Sequence, residues 1–201
     1  MGRGTIYPFV KEHLSENIRR RIFVLETGCG GALYRPIVES LGATYIGTDI
    51  FNEHYQEVGD VDLFCSSDYL PFKDNSLDIV FNQGAIDYMP NIEQTLVEIY
   101  RVLRPGGKLL IYTYRYDVLV TIHNNCQKTK RKWELSHHVF TSEQMLGYLK
   151  TVGFMARDIT NRMSAWRPRA WGLALVKALG LYHFFYRRRC IWLTFEAFKP
   201  Q

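Results

Sequence analysis

The sequence has few cysteines and no long uninterrupted apolar run, and each of these shortages argues against a class of protein. The four cysteines among 201 residues form no CxxC pair and no Cys/His cluster with the spacing of metal ligands. We therefore expect no disulfide framework and no metal site, and a reducing, cytoplasmic compartment. The N-terminal segment lacks the apolar centre of a signal peptide. No run reaches the ~20 apolar residues of a transmembrane helix.

The overall composition is that of a globular protein. Hydrophobic residues make up 47% of the chain and charged residues 22%. These values argue against a disordered, collagen-like or coiled-coil chain. No linker or internal repeat divides the sequence, so we expect a single domain over residues 1–201.

The net charge of +5 is unevenly distributed. Residues 1–149 carry 15 basic and 18 acidic side chains, whereas residues 150–201 carry 10 basic side chains and only two acidic ones. Three of the four tryptophans also lie in the second segment. A basic, aromatic segment predicts an anionic partner, which could be an acidic substrate, a membrane surface or nucleic acid.

Strand-like and helix-like segments alternate along the chain. Apolar and β-branched runs predict strands at residues 21–26, 43–50, 61–72 (a short strand and a loop), 76–86, 108–116, 154–160 and 190–199. Apolar residues at helical spacing predict helices at 31–42, 92–103 and 145–152, with N-caps at Asn91 and Thr141 for the second and third. This alternation predicts an α/β fold with a doubly wound, mostly parallel sheet.

A glycine-rich turn joins the first predicted strand to the first predicted helix. It reads ETGCGGA at residues 26–32, and its glycines let the backbone approach a ligand closely. Glu26 at the mouth of this turn would repel a dinucleotide pyrophosphate and attract an ammonium or sulfonium group. Leu33 also stands where the dinucleotide-binding fingerprint has its third glycine.

Two further carboxylates follow the next two predicted strands. Asp49 ends the second strand, about 20 residues after the glycine turn, where an acid can accept hydrogen bonds from ribose hydroxyls. Asp68 follows the third strand, where its carboxylate can accept from an adenine amino group while Tyr69 packs against the ring. Three acids at successive strand ends on one sheet edge favour a ligand site over independent surface groups.

These motifs together resemble the class I S-adenosylmethionine-dependent methyltransferases, in particular their type 11 small-molecule group. The matching strings are ETGCGGA at 26–32, TDI at 48–50, SSDYLPFKDNSLDIVFNQGAIDYM at 67–89 and EIYRVLRPGGKLLIYTY at 98–114. The resemblance implies a Rossmann-like seven-stranded sheet with helices on both faces and an antiparallel last strand inserted between strands 5 and 6. It implies a cofactor-binding core at about 20–114. We expect substrate-side or lid elements at about 115–140 and, as a helical insert between strands 6 and 7, at 164–189.

The resemblance also implies a role for individual residues toward S-adenosylmethionine, whose product is S-adenosylhomocysteine. Glu26, Gly28 and Gly30 would line the methionine and ribose end. Asp49 would hold the ribose hydroxyls, and Ile50 beside it is also expected to contact the cofactor. Asp68 and Tyr69 would bind adenine, and Asn82 and Gln83 would contact the methionine moiety or face the substrate. Two rivals remain open. One is an NAD-dependent oxidoreductase, and the other is a relative that binds the cofactor without turnover.

The acceptor is expected to be a small or lipid-like molecule, anionic or hydrophobic, with oxygen favoured as the methylated atom. An alcohol or amine acceptor needs a base. His137 and His138 are candidates because an imidazole titrates near the working pH. The motif after strand 4 has Asp87 and Tyr88 where many relatives carry histidine, so no role transfers to that pair.

Residues 166–189 hold an apolar stretch between two arginine-rich ends. One interpretation is a helix packed over the sheet edge or the mouth of the site. The other is an interfacial helix that makes peripheral contact with a membrane. Nucleic acid is not an expected partner because the basic residues are mixed with apolar ones and no recognition module is present.

Overall fold

A seven-stranded sheet runs through the residues that the computed structural model describes, which are 6–51, 61–114, 138, 140–160 and 192–201. Its strands follow the order β3-β2-β1-β4-β5-β7-β6. β1 to β5 pair in parallel, and β7 is antiparallel to both of its neighbours. The predicted doubly wound sheet with an inserted antiparallel last strand is confirmed. In chain order the strands are β1 (Phe23–Thr27), β2 (Thr44–Asp49), β3 (Leu63–Phe64), β4 (Leu77–Gln83), β5 (Leu103–Tyr114), β6 (Met155–Asp158) and β7 (Trp192–Phe198).

Four α-helices are present among the described residues: α1 (Tyr7–Asn17), α2 (Arg35–Ser40), α3 (Ile92–Val102) and α4 (Ser142–Val152). The predicted caps are confirmed. Asn91 accepts from the backbone N–H of Gln94, and Thr141 and Gln144 form a reciprocal capping box. The predicted helical insert between strands 6 and 7 lies outside the described residues.

Three elements differ from the sequence-based expectations. Helix α2 starts at Arg35 rather than in the glycine turn because Ala32 has a φ of 44°, which helical backbone does not allow. Strand β5 starts at Leu103 and includes the RPGG segment as an irregularity, with Leu77 pairing to Leu103 before the register shifts. Helix α1 was not predicted, although Pro8 in its first turn is a recognised start signal.

Apolar side chains cover both faces of the sheet. On one face α3 and α4 pack over Ile111 and its neighbours, and on the other α1 and α2 pack over Tyr112. His13 of α1 and the Tyr112 hydroxyl are hydrogen-bonded at 2.8 Å in this second layer. Both layers leave the carboxyl ends of the parallel strands open, which is where ligands bind in sheets of this kind.

Candidate functional site

A cavity of about 580 Å³ lies at the carboxyl ends of β1, β2 and β4. This volume is in the range of small-molecule sites. The site lies where the chain order reverses on the two sides of β1, the point at which doubly wound sheets bind ligands. Six of the nine residues predicted to bind cofactor line the cavity, namely Glu26, Gly28, Gly30, Asp49, Ile50 and Gln83.

The backbone N–H groups of the glycine turn are used within the protein. Gly28 and Cys29 donate to the carbonyl oxygen of Thr48 at 2.8 and 3.0 Å. Gly30 donates to the carboxylate of Asp49 at 2.7 Å. A turn that binds a pyrophosphate instead points these N–H groups at the ligand. The geometry therefore argues against the dinucleotide interpretation.

Glu26 is a buried carboxyl at the end of β1. The pKa of Glu26 is raised from 4.5 to about 8, and burial is the largest cause of this shift. The hydrogen bond donated by the Tyr45 hydroxyl acts in the opposite direction. The side chain is therefore mostly protonated at neutral pH in the free protein. A cationic ligand in the cavity would favour the ionised form and lower this pKa.

Asp49 carries the second acidic side chain of the cavity. One of its oxygens accepts from Gly30, and the other accepts from the N–H of Ile50 at 2.8 Å. These bonds fix the carboxylate at the cavity wall. No lysine, arginine or histidine is among the described residues that line the cavity. The lining is therefore complementary to hydroxyl and cationic groups.

Cys29 also lines the cavity, and its thiol is not suited to nucleophilic chemistry. Burial, with the nearby carboxyls of Glu26 and Asp49, raises the pKa of Cys29 to about 12. The reactive form of cysteine is the thiolate, which is scarce at this pKa.

Three predicted cofactor residues lie away from the cavity lining. Asn82 is fully buried: its amide donates to the Thr27 carbonyl oxygen at 2.9 Å, and its oxygen accepts from the N–H of Ile86 at 2.8 Å. It holds the turn after β4 in place. Asp68 is buried and accepts from the Thr95 hydroxyl at 2.7 Å, while Tyr69 is 75% exposed.

Of the two histidines expected to act as a base, the structure describes only His138. His137 lies outside the described residues. The backbone N–H of His138 donates to the Asp87 carbonyl oxygen at 2.9 Å, and neither residue is among those that line the cavity. The Asp87 carboxyl is fully buried and accepts from the Thr113 hydroxyl through one oxygen. Burial raises the pKa of Asp87 to about 6.

Aromatic side chains that the sequence-based site did not include line the rest of the cavity. They are Tyr34, Tyr88, Tyr114 and Trp192, joined by Ile6. The Tyr114 and Trp192 rings are stacked, with centroids 4.0 Å apart. Trp192 lies far along the chain from the glycine motif, and only the pairing of β7 with β5 brings it to this edge.

Two kinds of feature are absent from the described part of the chain. None of its helices is long and apolar enough to cross a membrane. It contains no group of three or more His, Cys, Asp or Glu side chains arranged to hold a metal ion.

Comparison with known sequences places this site in a family. Residues 25–111 match the family model described as a methyltransferase domain. The sterol 4-C-methyltransferase of Caenorhabditis elegans is 27% identical over 140 residues, covering 64% of this chain and 39% of that protein. The human mitochondrial arginine-hydroxylase NDUFAF5 is 24% identical over 163 residues, covering 72% of this chain and 47% of that protein. The chain thus spans less than half the length of these curated relatives.

Solved structures share the fold. One is the complex of the Trm112 methyltransferase activator of Haloferax volcanii with its methyltransferase, matched at a TM-score of 0.69 and 18% identity over 99% of this chain and 93% of that chain. Another is phosphoethanolamine N-methyltransferase 2 of Haemonchus contortus with phosphomonomethylethanolamine and S-adenosylhomocysteine. It matches at a TM-score of 0.61 and 18% identity over all of this chain and 53% of that chain.

The fold and the site define a class I methyltransferase architecture. The predicted resemblance to the S-adenosylmethionine-dependent methyltransferases is confirmed over residues 25–111, which match a methyltransferase domain. S-Adenosylmethionine, the cofactor of this family, fits the cavity chemically. Its ammonium, sulfonium and ribose hydroxyls suit a lining with the acidic side chains of Glu26 and Asp49 and no basic side chain among the described residues. The N–H groups of Gly28, Cys29 and Gly30 are already hydrogen-bonded within the protein.

Proposed function

We propose that this protein transfers a methyl group from S-adenosylmethionine to a small-molecule or lipid-like acceptor, with oxygen as the methylated atom. The observation that carries the cofactor half of this proposal is that Glu26 and Asp49 both line the cavity, beside a turn in which the N–H groups of Gly28, Cys29 and Gly30 are already bonded within the protein. The sterol methyltransferase among the relatives supports a lipid-like acceptor. When bound, S-adenosylmethionine supplies an electrophilic methyl group on a sulfonium.

Three residues are proposed to hold that cofactor from the glycine-turn side. Asp49, fixed by the N–H groups of Gly30 and Ile50, accepts hydrogen bonds from the ribose hydroxyls. Glu26 ionises in the presence of the cationic amino-acid end and pairs with it electrostatically. The Ile50 side chain is 59% exposed and provides an apolar surface for the adenine ring.

The other predicted contacts stay predictions. Asp68 and Tyr69 are proposed at the adenine end, and Asp68→Ala tests this through the affinity for S-adenosylhomocysteine. Gln83 lines the cavity and is proposed to contact the methionine moiety or the acceptor. Asn82 is proposed to act through the turn that it hydrogen-bonds, since both of its polar groups are occupied within the protein.

Alignment of the acceptor and exclusion of water supply much of the catalysis in a methyl transfer from an activated donor. We propose that the chain acts as one domain in which residues 115–140 and 164–189 enclose the acceptor. His137 and His138 remain proposed as bases. Alanine at either position should leave S-adenosylhomocysteine binding intact and lower turnover at saturating acceptor.

Peripheral membrane contact through residues 166–189 of a cytoplasmic protein is part of the proposal. The protein should then sediment with anionic liposomes at low salt, and reversing the charge of Arg187 and Arg188 to glutamate should abolish sedimentation. If the protein does not sediment with the liposomes at low salt, the proposed membrane contact is wrong, and the proposed methyl transfer is unaffected.

Calorimetric titration of the full chain with S-adenosylhomocysteine and, separately, with NAD tests the donor half. Binding of S-adenosylhomocysteine alone is expected, followed by transfer of labelled methyl from S-adenosylmethionine to members of a panel of hydroxyl and amine compounds. Binding of NAD alone would overturn the proposal. S-Adenosylhomocysteine binding with no transfer to any panel member would instead favour the non-catalytic relative.

A further inference from the structure

Behind the cavity lining, the side chain of Tyr45 on β2 reaches the carboxyl of Glu26 on β1. The Tyr45 hydroxyl donates a hydrogen bond to one oxygen of that carboxyl. Glu26 is 3% exposed and Tyr45 is 4% exposed, so the bond is shielded from solvent. Glu26 lines the cavity, whereas Tyr45 is not among the described residues that do. An effect of Tyr45 on a bound ligand is therefore transmitted through Glu26.

The strand register explains how Tyr45 reaches a residue that is not directly opposite. In the parallel pairing of β1 with β2, Tyr45 lies opposite Val24, and Gly47 lies opposite Glu26. Tyr45 and Gly47 share one face of the strand, and the tyrosine ring lies over the glycine. A Cβ built on Gly47 would be 2.9 Å from Cε1 of Tyr45 and 3.0 Å from its hydroxyl oxygen. The missing side chain at Gly47 thus leaves the space through which the tyrosine reaches Glu26.

The surroundings of Glu26 determine how costly a negative charge is at this position. Burial is the largest cause of the raised pKa of Glu26, and the nearby Asp49 carboxylate also raises it. The hydrogen bond from Tyr45 lowers this pKa, as does Arg35, whose guanidinium lies 4.5 Å from the centroid of the Tyr45 ring. Among the described residues, the charged or titratable side chains that interact with Glu26 are Tyr45, Asp49, Arg35, Cys29 and Tyr34.

We propose that Tyr45 is a positioning residue of the cofactor site, which holds the Glu26 carboxylate for the ammonium group of the donor and stabilises its charge. This inference rests on the proposed function, which gives Glu26 that partner. Because the pKa of Glu26 is about 8 in the free protein, its carboxyl holds a proton at neutral pH. When the ammonium group binds, the carboxyl O–H bond breaks, the electron pair stays on the carboxylate and the proton passes to solvent. The Tyr45 hydroxyl then donates to a charged oxygen, which is a stronger bond than one to a neutral carboxyl.

Proton release by the unmodified protein is the first measurement. The full chain is titrated calorimetrically with S-adenosylhomocysteine at pH 7 in phosphate and in Tris, whose different ionisation enthalpies reveal the number of protons released. The matched ligand is 5′-methylthioadenosine, which lacks the amino-acid end. We expect S-adenosylhomocysteine to release about 0.5 to 1 proton and 5′-methylthioadenosine about none. Glu26→Gln should abolish the release. Equal release with both ligands, or an unchanged release in Glu26→Gln, would overturn the proposal.

Tyr45→Phe removes the hydroxyl and keeps the ring. Affinities for the two ligands are measured from pH 6 to pH 9, and their ratio cancels the effects of pH that both ligands share. In the native protein the ratio should rise with pH and flatten above pH 8, the pKa of Glu26. In Tyr45→Phe it should be at least about fivefold lower at pH 7.5 and still be rising at pH 9. A uniform loss of affinity with the native pH profile would mean that Tyr45 only packs, and would overturn the proposal.

Tyr112→Phe is the matched control. Tyr112 is also buried in the sheet and its hydroxyl is also hydrogen-bonded to a titratable side chain, that of His13 at 2.8 Å, but it lies outside the cavity lining. This variant should keep the native pH profile. The same shift in Tyr112→Phe as in Tyr45→Phe would show that the effect does not come from the bond to Glu26.

The outcomes separate this inference from the function on which it rests. Native S-adenosylhomocysteine binding without proton release would overturn the role of Tyr45 and leave the proposed function standing. Failure of the native protein to bind S-adenosylhomocysteine at any pH would overturn the proposed function and the role of Tyr45 with it.

Discussion

The carboxylate of Asp49 accepts the backbone N–H of Gly30 at 2.7 Å, which ties the end of β2 to the glycine turn that follows β1. A single side chain thereby shapes the turn and presents an acceptor oxygen to the cavity. The two roles are separable by experiment, because a carboxylate that accepts a backbone N–H but lies outside the cavity lining exists elsewhere in the same sheet.

That carboxylate is Asp78, which accepts the N–H of Phe23 at 2.7 Å at the opposite edge of the sheet. Asp49→Ala and Asp78→Ala should each lower the free energy of unfolding by about 1–3 kcal/mol. The first leaves the N–H groups of Gly30 and Ile50 without this partner, and the second leaves the N–H of Phe23 and the Arg104 guanidinium without theirs. Only Asp49→Ala should weaken S-adenosylhomocysteine, by about 10- to 100-fold. Urea unfolding and calorimetry measure the two quantities, and an equal loss of affinity in both variants would contradict the assignment.

The glycine turn offers a matched pair of substitutions. Gly28 has a φ of 68° and an added Cβ would lie 2.2 Å from the Cβ of Ala85, whereas Gly30 has a φ of 52° and open space around the same position. Gly28→Ala should therefore cost about 3 kcal/mol of stability, from backbone strain and overpacking together. Gly30→Ala should cost about 1 kcal/mol, from strain alone. Similar unfolding midpoints in urea would show that the contact with Ala85 relaxes freely.

The raised pKa of Glu26 makes the free energy of unfolding fall as the pH rises. Its pKa is raised from 4.5 in the ordinary state to about 8 in the folded protein, so the folded state binds the proton more tightly than the unfolded state. Its contribution is fully present below pH 4.5 and is lost as the pH rises toward 8. Relative to Glu26→Gln, the unfolding free energy of the native protein should fall by up to about 1.4 kcal/mol per pH unit in this window.

Tyr45→Phe tests how the hydrogen bond to Glu26 affects this pH dependence. The Tyr45 hydroxyl lowers the pKa of Glu26, so its removal should raise that pKa further and extend the decline in stability to higher pH. Denaturant titrations from pH 5 to pH 9 follow all three proteins. A pH profile of Tyr45→Phe identical to that of the native protein would assign the shift to burial without the hydrogen bond.

Asp87 predicts a second decline in stability, over a lower pH range. Its pKa is raised from 3.8 to about 6, and its second carboxylate oxygen is buried with no hydrogen-bond partner among the described residues. The stability that it contributes is thus lost between these two values as the pH rises. Asp87→Asn should be more stable than the native protein at pH 8, by on the order of 2 kcal/mol. Thermal unfolding at pH 4 and pH 8 measures this, and a less stable variant at pH 8 would contradict it.

The acidic part of the cavity lining could be predicted because its signals are local. The glycine turn, Asp49 and the caps at Asn91 and Thr141 each depend on a few neighbouring residues, and the structure places them as expected. The α2 start was misplaced because the positive φ of Ala32 is set by the turn and not by helix propensity. Local sequence patterns therefore predicted which helices and strands form more accurately than the residues at which they begin and end.

The aromatic part of the cavity lining could not be predicted for a different reason. Tyr114 and Trp192 meet only through the antiparallel register of β5 with β7, a pairing between distant parts of the chain. The family resemblance implied that the last strand is inserted beside β5, but it did not say which residues would face each other. Asn82 shows the converse case, since its position after β4 indicated a ligand contact and the structure uses it to hold a turn.

The segment that matches the methyltransferase family, residues 25–111, holds Glu26, Gly28, Gly30 and Asp49, whereas Ile6, Tyr114 and Trp192 all lie outside it. The cavity is therefore lined partly by the matched segment, which also holds Gln83 and Tyr88, and partly by residues on either side of it. Mutation in the flanking stretches can therefore change one part of the cavity lining during evolution while Glu26, Gly28, Gly30 and Asp49 are left untouched. For protein engineering, this makes the flanks the region to randomise when a new acceptor is sought and the matched segment the region to leave constant.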